Sequence, residues 1–304
     1  MLAYVLDADN RAGLREIERP APRAGEVLIR ARASSVNPHD DLVRSGAARA
    51  YMEYDLPAVL GSDVAGDVEA VGSGVSRVSV GDRVFGLERS RCVHNGTFAE
   101  YVTLPAGAVA RTPEGLDDAH AGALGLAALM AITAIAAARL EPGRTILING
   151  ATGGVGCFAV QMAAAAGAHV LATARPGAEA DLLRELGAAR TIDWTNTDVG
   201  AAAADVGGVD VLLDLVTREA EALARLSIRA LAPGGHAFTT LAPGGSAEML
   251  FAIGSPELLD QIASLAARGS IKVPLGQSFE LAEIEQAFIA LREGATGKIG
   301  VSLQ

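Results

Sequence analysis

A chain of 304 residues, half of them apolar and a fifth charged, has length for about two domains and can bury a substantial core. Its net charge of −11 and pI near 5.0 exclude a general binder of nucleic acid or of anionic membrane surfaces. The two cysteines, Cys92 and Cys157, form no CxxC pair, so neither a disulfide framework nor a Cys-based zinc cluster is expected, and Cys157 reads as a small buried thiol.

From Met1 to Asp9 there is neither a basic segment nor a long apolar run, and no signal peptide is expected. Leu2 to Leu6 is apolar. Glu26 to Arg32 alternates, with Val27, Ile29 and Ala31 opposite Leu28, Arg30 and Arg32. A polar turn, Ser34 to Asp41, leads into a short helix. Val59 to Gly72 is strand-like again, and short strands punctuated by Gly continue to Ala110. The first third therefore reads as a β-rich unit.

After Pro113 the texture changes. Ala121 to Ala138 is uncharged for 18 residues, which meets the length screen for a membrane span. It is mostly Ala, Gly and Leu and runs straight into Glu141-Pro142-Gly143, so a buried helix or helix pair is expected, in a soluble, cytoplasmic protein without membrane contact. Beyond it, Thr145–Asn149, His169–Ala174, Arg190–Asp193, Val209–Val216 and His236–Leu241 are candidate strands. Helical stretches such as Ala178–Leu186 and Arg218–Leu231 separate them, and alternating β and α units predict a doubly wound parallel sheet. Pro256–Arg268 and Leu281–Arg292 are further helices, and strand-like Gln277–Glu280 and Lys298–Leu303 close the chain.

The centre of this pattern is Arg144 to Gly156, a short apolar strand, a Gly-rich turn and the start of an Ala-rich helix. Gly150, Gly153 and Gly156 hold the spacing of a dinucleotide fingerprint, with one extra residue between the first two. A pyrophosphate must approach backbone N–H groups at a helix N-terminus, where a Cβ would obstruct it. Gly150, Ala151, Thr152, Gly153, Gly154, Val155 and Gly156 are therefore candidate coenzyme-binding residues. The second strand ends at Thr173-Ala174-Arg175, with no acid to accept from a ribose 2′-hydroxyl. Arg175 instead offers a guanidinium fork suited to a 2′-phosphate, Thr173 a hydroxyl, and Arg190 a second basic candidate, which together predict NADPH.

Asn37-Pro-His-Asp, Gly61-Ser-Asp-Val-Ala-Gly, Val71-Gly72, Gly81-Asp-Arg-Val, Thr97-Phe-Ala-Glu-Tyr, the Gly-rich turn and Gly297-Lys-Ile-Gly-Val occur in that order. In these motifs, over nearly its whole length, the chain resembles the medium-chain dehydrogenase/reductase superfamily, and more narrowly its zinc-independent quinone oxidoreductase branch, the zeta-crystallin-like proteins. The resemblance implies an α/β chain with a GroES-like β-rich catalytic domain, about 1–112 with 273–304 returning to it, and a Rossmann NADPH-binding domain at about 113–272. It implies hydride transfer from NADPH to a small-molecule quinone or α,β-unsaturated carbonyl, and a homodimer is the family expectation. Asn37 and Thr133 match positions beside the nicotinamide, and Leu215 and Leu241 complete the expected coenzyme set.

Many relatives carry a Tyr where this chain has Leu42, so Tyr51 or Tyr54 is the expected proton donor. Zinc-dependent relatives carry Gly-His-Glu where this chain has Gly61-Ser62-Asp63, and a Cys ligand in the turn that holds Ser34, Ser35 and Asn37. The five His are scattered without paired spacing, and no metal is expected. Two other functions fit the same motifs: an enoyl-thioester reductase of fatty-acid or polyketide type, and a catalytically silent NADPH-binding protein. The stretch from Gly244 to Pro256 is compact where relatives carry a longer segment.

Overall fold

A computed structural model describes residues 1–241, 244–252 and 254–303. The chain forms two compact units, one of Met1–Leu129, Gly254–Gly269 and Leu275–Gln304, the other of Met130–Ile253 and Ser270–Pro274.

The first unit opens with strands β1 (Leu2–Leu6), β2 (Ala12–Glu16) and β3 (Glu26–Val36) and helix α1 (Pro38–Ser45). Strands β4 (Glu53–Val59), β5 (Asp63–Val71), β6 (Arg83–Leu87), β7 (Cys92–Asn95), β8 (Tyr101–Pro105) and β9 (Val109–Arg111) follow, then helix α2 (Asp118–Ala121). Helix α3 (Gly125–Ala138) begins in this unit and ends in the other. The alternation read over residues 26–32 is a strand, but Leu28 on its polar side is buried along with Val27 and Ile29. The reason is its central place: β3 pairs with β5 and with β8.

The second unit alternates strand and helix from β10 to β14, and β15 follows β14 directly. Its elements are β10 (Thr145–Asn149), α4 (Gly154–Ala165), β11 (His169–Thr173), α5 (Ala178–Glu185), β12 (Arg190–Ile192), α6 (Val199–Ala204), β13 (Val209–Asp214), α7 (Ala220–Ala230), β14 (Leu231–Thr239) and β15 (Glu248–Met249). The sheet order is β12-β11-β10-β13-β14-β15 and every pairing is parallel, the doubly wound topology expected. Ile146, Leu147 and Ile148 are fully buried, which explains why β10 is an unbroken apolar run. The expected fifth strand, His236–Leu241, is displaced: β14 starts at Leu231 and stops at Thr239. Pro233-Gly234-Gly235, a turn signal by composition, instead forms an irregularity inside the strand, where Val209 faces Leu231 but Val211 faces His236.

Helix α8 (Pro256–Ala267), strand β16 (Leu275–Glu280), helix α9 (Ile284–Glu293) and strand β17 (Lys298–Ser302) return to the first unit. Its larger sheet runs β16-β17-β3-β5-β6-β9, with β8 also on β3, and its smaller sheet runs β2-β1-β4-β7. One core joins both sheets to α9, through Tyr4, Leu6, Val27, Ile29, Phe98, Phe288 and Ile299. Phe288 of α9 meets the ring of Phe98, between β7 and β8, edge-on at 6.2 Å, and the ring of Tyr4 in β1 at 6.2 Å, so α9 is fastened to both. Residues 113–129 and 254–269, assigned from sequence to the coenzyme-binding domain, group spatially with this first unit. Arg83 pairs with Asp118 of α2, and Arg77 with Asp260 of α8. Among the described residues no helix is long and apolar enough to cross a membrane.

Candidate coenzyme and active sites

The Gly-rich turn follows β10, beside the point where the strand order reverses and open α/β sheets leave a crevice for ligands. Each glycine has a separate reason. Gly150 has φ 85°, and a Cβ there would stand 2.5 Å from Val216 and 3.3 Å from the Leu215 Cβ. At Gly156 a Cβ would meet the Gly150 carbonyl oxygen at 2.5 Å and the Ala151 Cα at 2.6 Å, so this glycine lets α4 pack onto the turn. At Gly153, the N-cap of α4, a Cβ would meet nothing nearer than the Gly150 carbonyl oxygen at 3.6 Å. Its lack of a side chain serves an open surface, not internal packing. No side chain caps α4 among the described residues, so the N–H groups of Gly154, Val155 and Gly156 are available to an anion. This cradle fits a dinucleotide pyrophosphate.

A chain of partly buried hydrogen bonds sets the turn. The Thr173 hydroxyl accepts from the Gly150 N–H at 2.8 Å and reaches Asn149 Oδ1 at 3.3 Å. Asn149 Nδ2 donates to Asp214 at 2.6 Å, and Asp214 accepts in turn from the Thr217 hydroxyl and N–H. Thr173 is 2% exposed. Its hydroxyl, read from sequence as a coenzyme donor, is committed to holding Gly150. Leu215 lies beside Gly150, its N–H donating to Asn149, while Leu241 follows β14 and donates to the Thr239 hydroxyl.

Arg175 stands just past the carboxyl end of β11, with its side chain about half exposed. Its backbone N–H donates to Glu179 at 2.7 Å and its Nε to the same carboxylate at 2.8 Å. Arg190 is not beside it at that end, because it opens β12 level with Leu171, two residues short of Thr173. The Glu179 carboxylate comes from the first turn of α5.

In the first unit, Asn37 sits where β3 runs into α1. The resemblance offers its amide as a donor or as a positioning group beside the nicotinamide. The structure ties it down on both sides: Oδ1 accepts from Lys298 Nζ at 2.6 Å, and Nδ2 donates to Asp63 at 2.8 Å. The β17–β3 register that sets Ile299 against Val36 brings Lys298 level with Asn37. Asp63 is fully buried, accepting also from the Ser35 hydroxyl at 2.6 Å and the Leu126 N–H at 2.6 Å, with the Lys298 ammonium at 3.4 Å. Asp40 accepts from the Asn37 N–H at 2.8 Å and the Ser62 hydroxyl at 2.6 Å. Burial raises the Asp40 carboxyl to about 7. Asp41 serves the surface, pairing with Arg44 and Arg292.

Lys298 is the residue sequence reasoning overlooked. It lay within a quoted motif, and the signal was composition: the chain has only two lysines among 25 basic residues, and this one lies in an apolar strand. The network is built from Ser35, Asn37, Ser62 and Asp63, which lie in the two stretches where the sequence departs from zinc-dependent relatives. Among the described residues no three His, Cys, Asp or Glu side chains gather, and an ammonium with hydroxyl and amide donors does not suit a zinc ion.

The two tyrosines separate. Tyr54 donates its hydroxyl to the Val43 carbonyl at 2.9 Å, with Arg49 over its ring, so that hydroxyl is already spent. Tyr51 is 62% exposed. Arg89 is close enough to act electrostatically on both Tyr51 and His39, and burial holds the His39 imidazole down to about 4, neutral at physiological pH. Thr133 is half-buried on α3, in its second-unit part.

A model of the alcohol dehydrogenase GroES-like domain matches residues 23–114, and one of the zinc-binding dehydrogenases matches 154–271. The chain is 32% identical to the chloroplast envelope quinone oxidoreductase homolog of Arabidopsis thaliana, over 98% of this chain and 96% of that one. It is 40% identical over 219 residues to a mycocerosic acid synthase-like polyketide synthase of Mycobacterium tuberculosis, a match that takes in 70% of this chain but only 10% of the synthase. The chain likewise spans 10% of the corresponding synthase of Mycolicibacterium smegmatis. Among solved structures, the quinone oxidoreductase of Coxiella burnetii superposes with a TM-score of 0.86 at 26% identity, covering 100% of this chain and 99% of that one. An NAD-dependent alcohol dehydrogenase does so with 0.87 at 27% over the whole of both chains, and a mycobacterial protein complexed with NADPH with 0.85 at 27% over 99% of each.

Proposed function

Because the chain belongs to the medium-chain dehydrogenase/reductase superfamily, in its quinone oxidoreductase branch, we propose that it is an NADPH-dependent reductase of quinones or α,β-unsaturated carbonyls that works without a metal. The observation that carries this reading is the open cradle at Gly153 with the Arg175 guanidinium past the end of the next strand. The cradle N–H groups hold the pyrophosphate, and Arg175 takes the 2′-phosphate. NADPH, when bound, supplies the hydride from C4 of its nicotinamide. Thr133 contributes from α3 to seating the nicotinamide. The Lys298–Asp63 pair holds Asn37 in one amide orientation, so the turn before α1 is presented rigidly. Tyr51, the exposed one of the two expected phenols, is the proton donor.

NADPH oxidation by chelator-treated protein, with benzoquinones, naphthoquinones, short enals and crotonyl-CoA as acceptors, tests the activity. Turnover on quinones or enals is expected. The match to a segment of polyketide synthases supports a second reading, with an enoyl thioester as the acceptor. Turnover confined to crotonyl-CoA would select it, and tight NADPH binding with no turnover would select a silent binding protein. Arg175→Ala should weaken NADPH binding on the order of ten-fold or more, in line with loss of a charge-assisted contact to phosphate. An unchanged NADPH affinity would refute the phosphate role.

A further inference from the structure

The buried network of the first unit is one proton short of balance. It holds two carboxyls, Asp40 and Asp63, against one ammonium, Lys298, all three buried, and an unmatched charge in that setting is costly. Asp63 has the ammonium and three further donors, from Ser35, Asn37 and Leu126. The donors on Asp40 are neutral, so the missing proton belongs there. Burial acts in the same sense, and the Asp63 charge opposes a second one beside it. Lys298 stands at Oδ1 of the Asn37 amide, across from Asp40 at Nδ2. Arg89, after β6, acts on Asp63 and on His39, which burial keeps neutral beside Asp40 on α1. Asp41 is paired at the surface with Arg44 and Arg292.

The hydrogen bonds fix the place of that proton. Oδ2 of Asp40 accepts from the Asn37 N–H at 2.8 Å and lies 3.2 Å from its Nδ2, so a proton there would face two donors. Oδ1 faces the Ser62 hydroxyl at 2.6 Å. An ionised Asp40 takes the Ser62 proton; a protonated Asp40 donates to Ser62 Oγ instead and turns the Ser62 proton out of the network. Among the described residues the Ser62 hydroxyl has no partner besides Asp40. The Ser62 carbonyl accepts from the Glu88 N–H at 2.7 Å, and the next residue, Arg89, acts on Tyr51. Ser62 therefore stands between α1 and the loop that carries Arg89.

We propose that Ser62 is a catalytic donor armed by Asp40: with the proton on Asp40, the Ser62 hydroxyl donates to the carbonyl oxygen of the acceptor. This rests on the reductase reading above, which sets the turn before α1 beside the reacting groups. As hydride reaches the acceptor, negative charge develops on that oxygen. The Ser62 hydrogen bond stabilises it, and the Tyr51 proton completes the reduction. Hydride and that one proton balance the step, so Asp40 keeps its own. Once Asp40 ionises, its carboxylate reclaims the Ser62 proton and the donor is lost.

The test is kcat for quinones and short enals at saturating NADPH, followed from about pH 6 to about pH 8 on the intact chain and its variants. The intact chain should lose about ten-fold across that interval, as a carboxyl raised to about 7 ionises. Asp40→Asn offers Ser62 a permanent N–H and keeps an oxygen for the Asn37 N–H, and its fall should shrink to less than about two-fold. Ser62→Ala should lower kcat on the order of a hundred-fold with KM little changed, and Ser62→Thr should restore most of it. Should Ser62→Ala not fold, Ser62→Cys, a weaker donor, is measured with the same expected direction. Infrared difference spectra of the intact chain against Asp40→Asn give a readout without turnover. A protonated-carboxyl band at about pH 6 that fades by about pH 8 is expected, and no such band would overturn the inference. Unimpaired kcat in Ser62→Ala, or an alkaline fall in Asp40→Asn equal to that of the intact chain, overturns it and leaves the reductase reading standing. No turnover by the intact chain on any acceptor fails the reductase reading and takes this inference with it.

Discussion

Replacing Lys298 by Met tests the buried network directly. Lys298 is 3% exposed, and its ammonium bonds Asn37 Oδ1 at 2.6 Å beside Asp63 at 3.4 Å. Methionine keeps the length and removes the charge, leaving the Asp63 carboxylate buried without its cation. Removing one partner of a buried pair costs about 3–5 kcal/mol. Here Asp63 retains the Ser35 hydroxyl, the Asn37 amide and the Leu126 N–H, which place the expected loss near the lower end, about 3 kcal/mol. That is a large share of the roughly 5–15 kcal/mol that holds a domain folded. Chemical denaturation followed by far-UV circular dichroism measures it. Where unfolding proceeds in two steps, the step belonging to the first unit should shift and the other should not. The double variant Asp63→Asn/Lys298→Met removes both charges. It should cost less than the sum of the single changes, with a coupling of at least about 1.5 kcal/mol. A loss below about 1 kcal/mol for Lys298→Met, or strict additivity in the cycle, would refute the account of Lys298 as the charge that balances Asp63.

Burial raises Asp40 to about 7, so the folded protein holds this proton more tightly than the unfolded chain does. The associated stability is therefore full below the ordinary carboxylate range and is lost as pH rises through about 7, by at most about 4 kcal/mol. Asp40→Asn should flatten that part of the profile, read as the difference in unfolding free energy between about pH 5 and pH 8. Gly156→Ala drives a Cβ against the Gly150 carbonyl oxygen and the Ala151 Cα, and should cost about 1–3 kcal/mol and weaken NADPH binding. Gly153→Ala, with nothing nearer than 3.6 Å, should keep its melting temperature and still bind NADPH more weakly, by fluorescence titration. Equal melting losses in the two variants would contradict the separation of packing from ligand approach.

Local pattern determined much of this protein. The apolar run Thr145–Asn149 and the glycines after it specify a strand and a turn through backbone sterics alone, and both stand where the sequence put them. The regular alternation of β and α after Pro113 dictated the parallel order, because such crossovers leave few alternatives. What sequence could not decide was which polar groups spend their hydrogen bonds on one another. Asn37, Thr173 and Tyr54 carry the right chemistry for a site, yet each is bonded internally, by partners 261, 23 and 11 residues away. Lys298 gave a weak local signal and acquires its role from position, through the register of β17 on β3. Periodicity reports the face a residue occupies, since that depends on neighbours three or four positions away. A hydrogen-bond partner depends on where distant strands meet, and only the tertiary structure brings those atoms within 3 Å of each other.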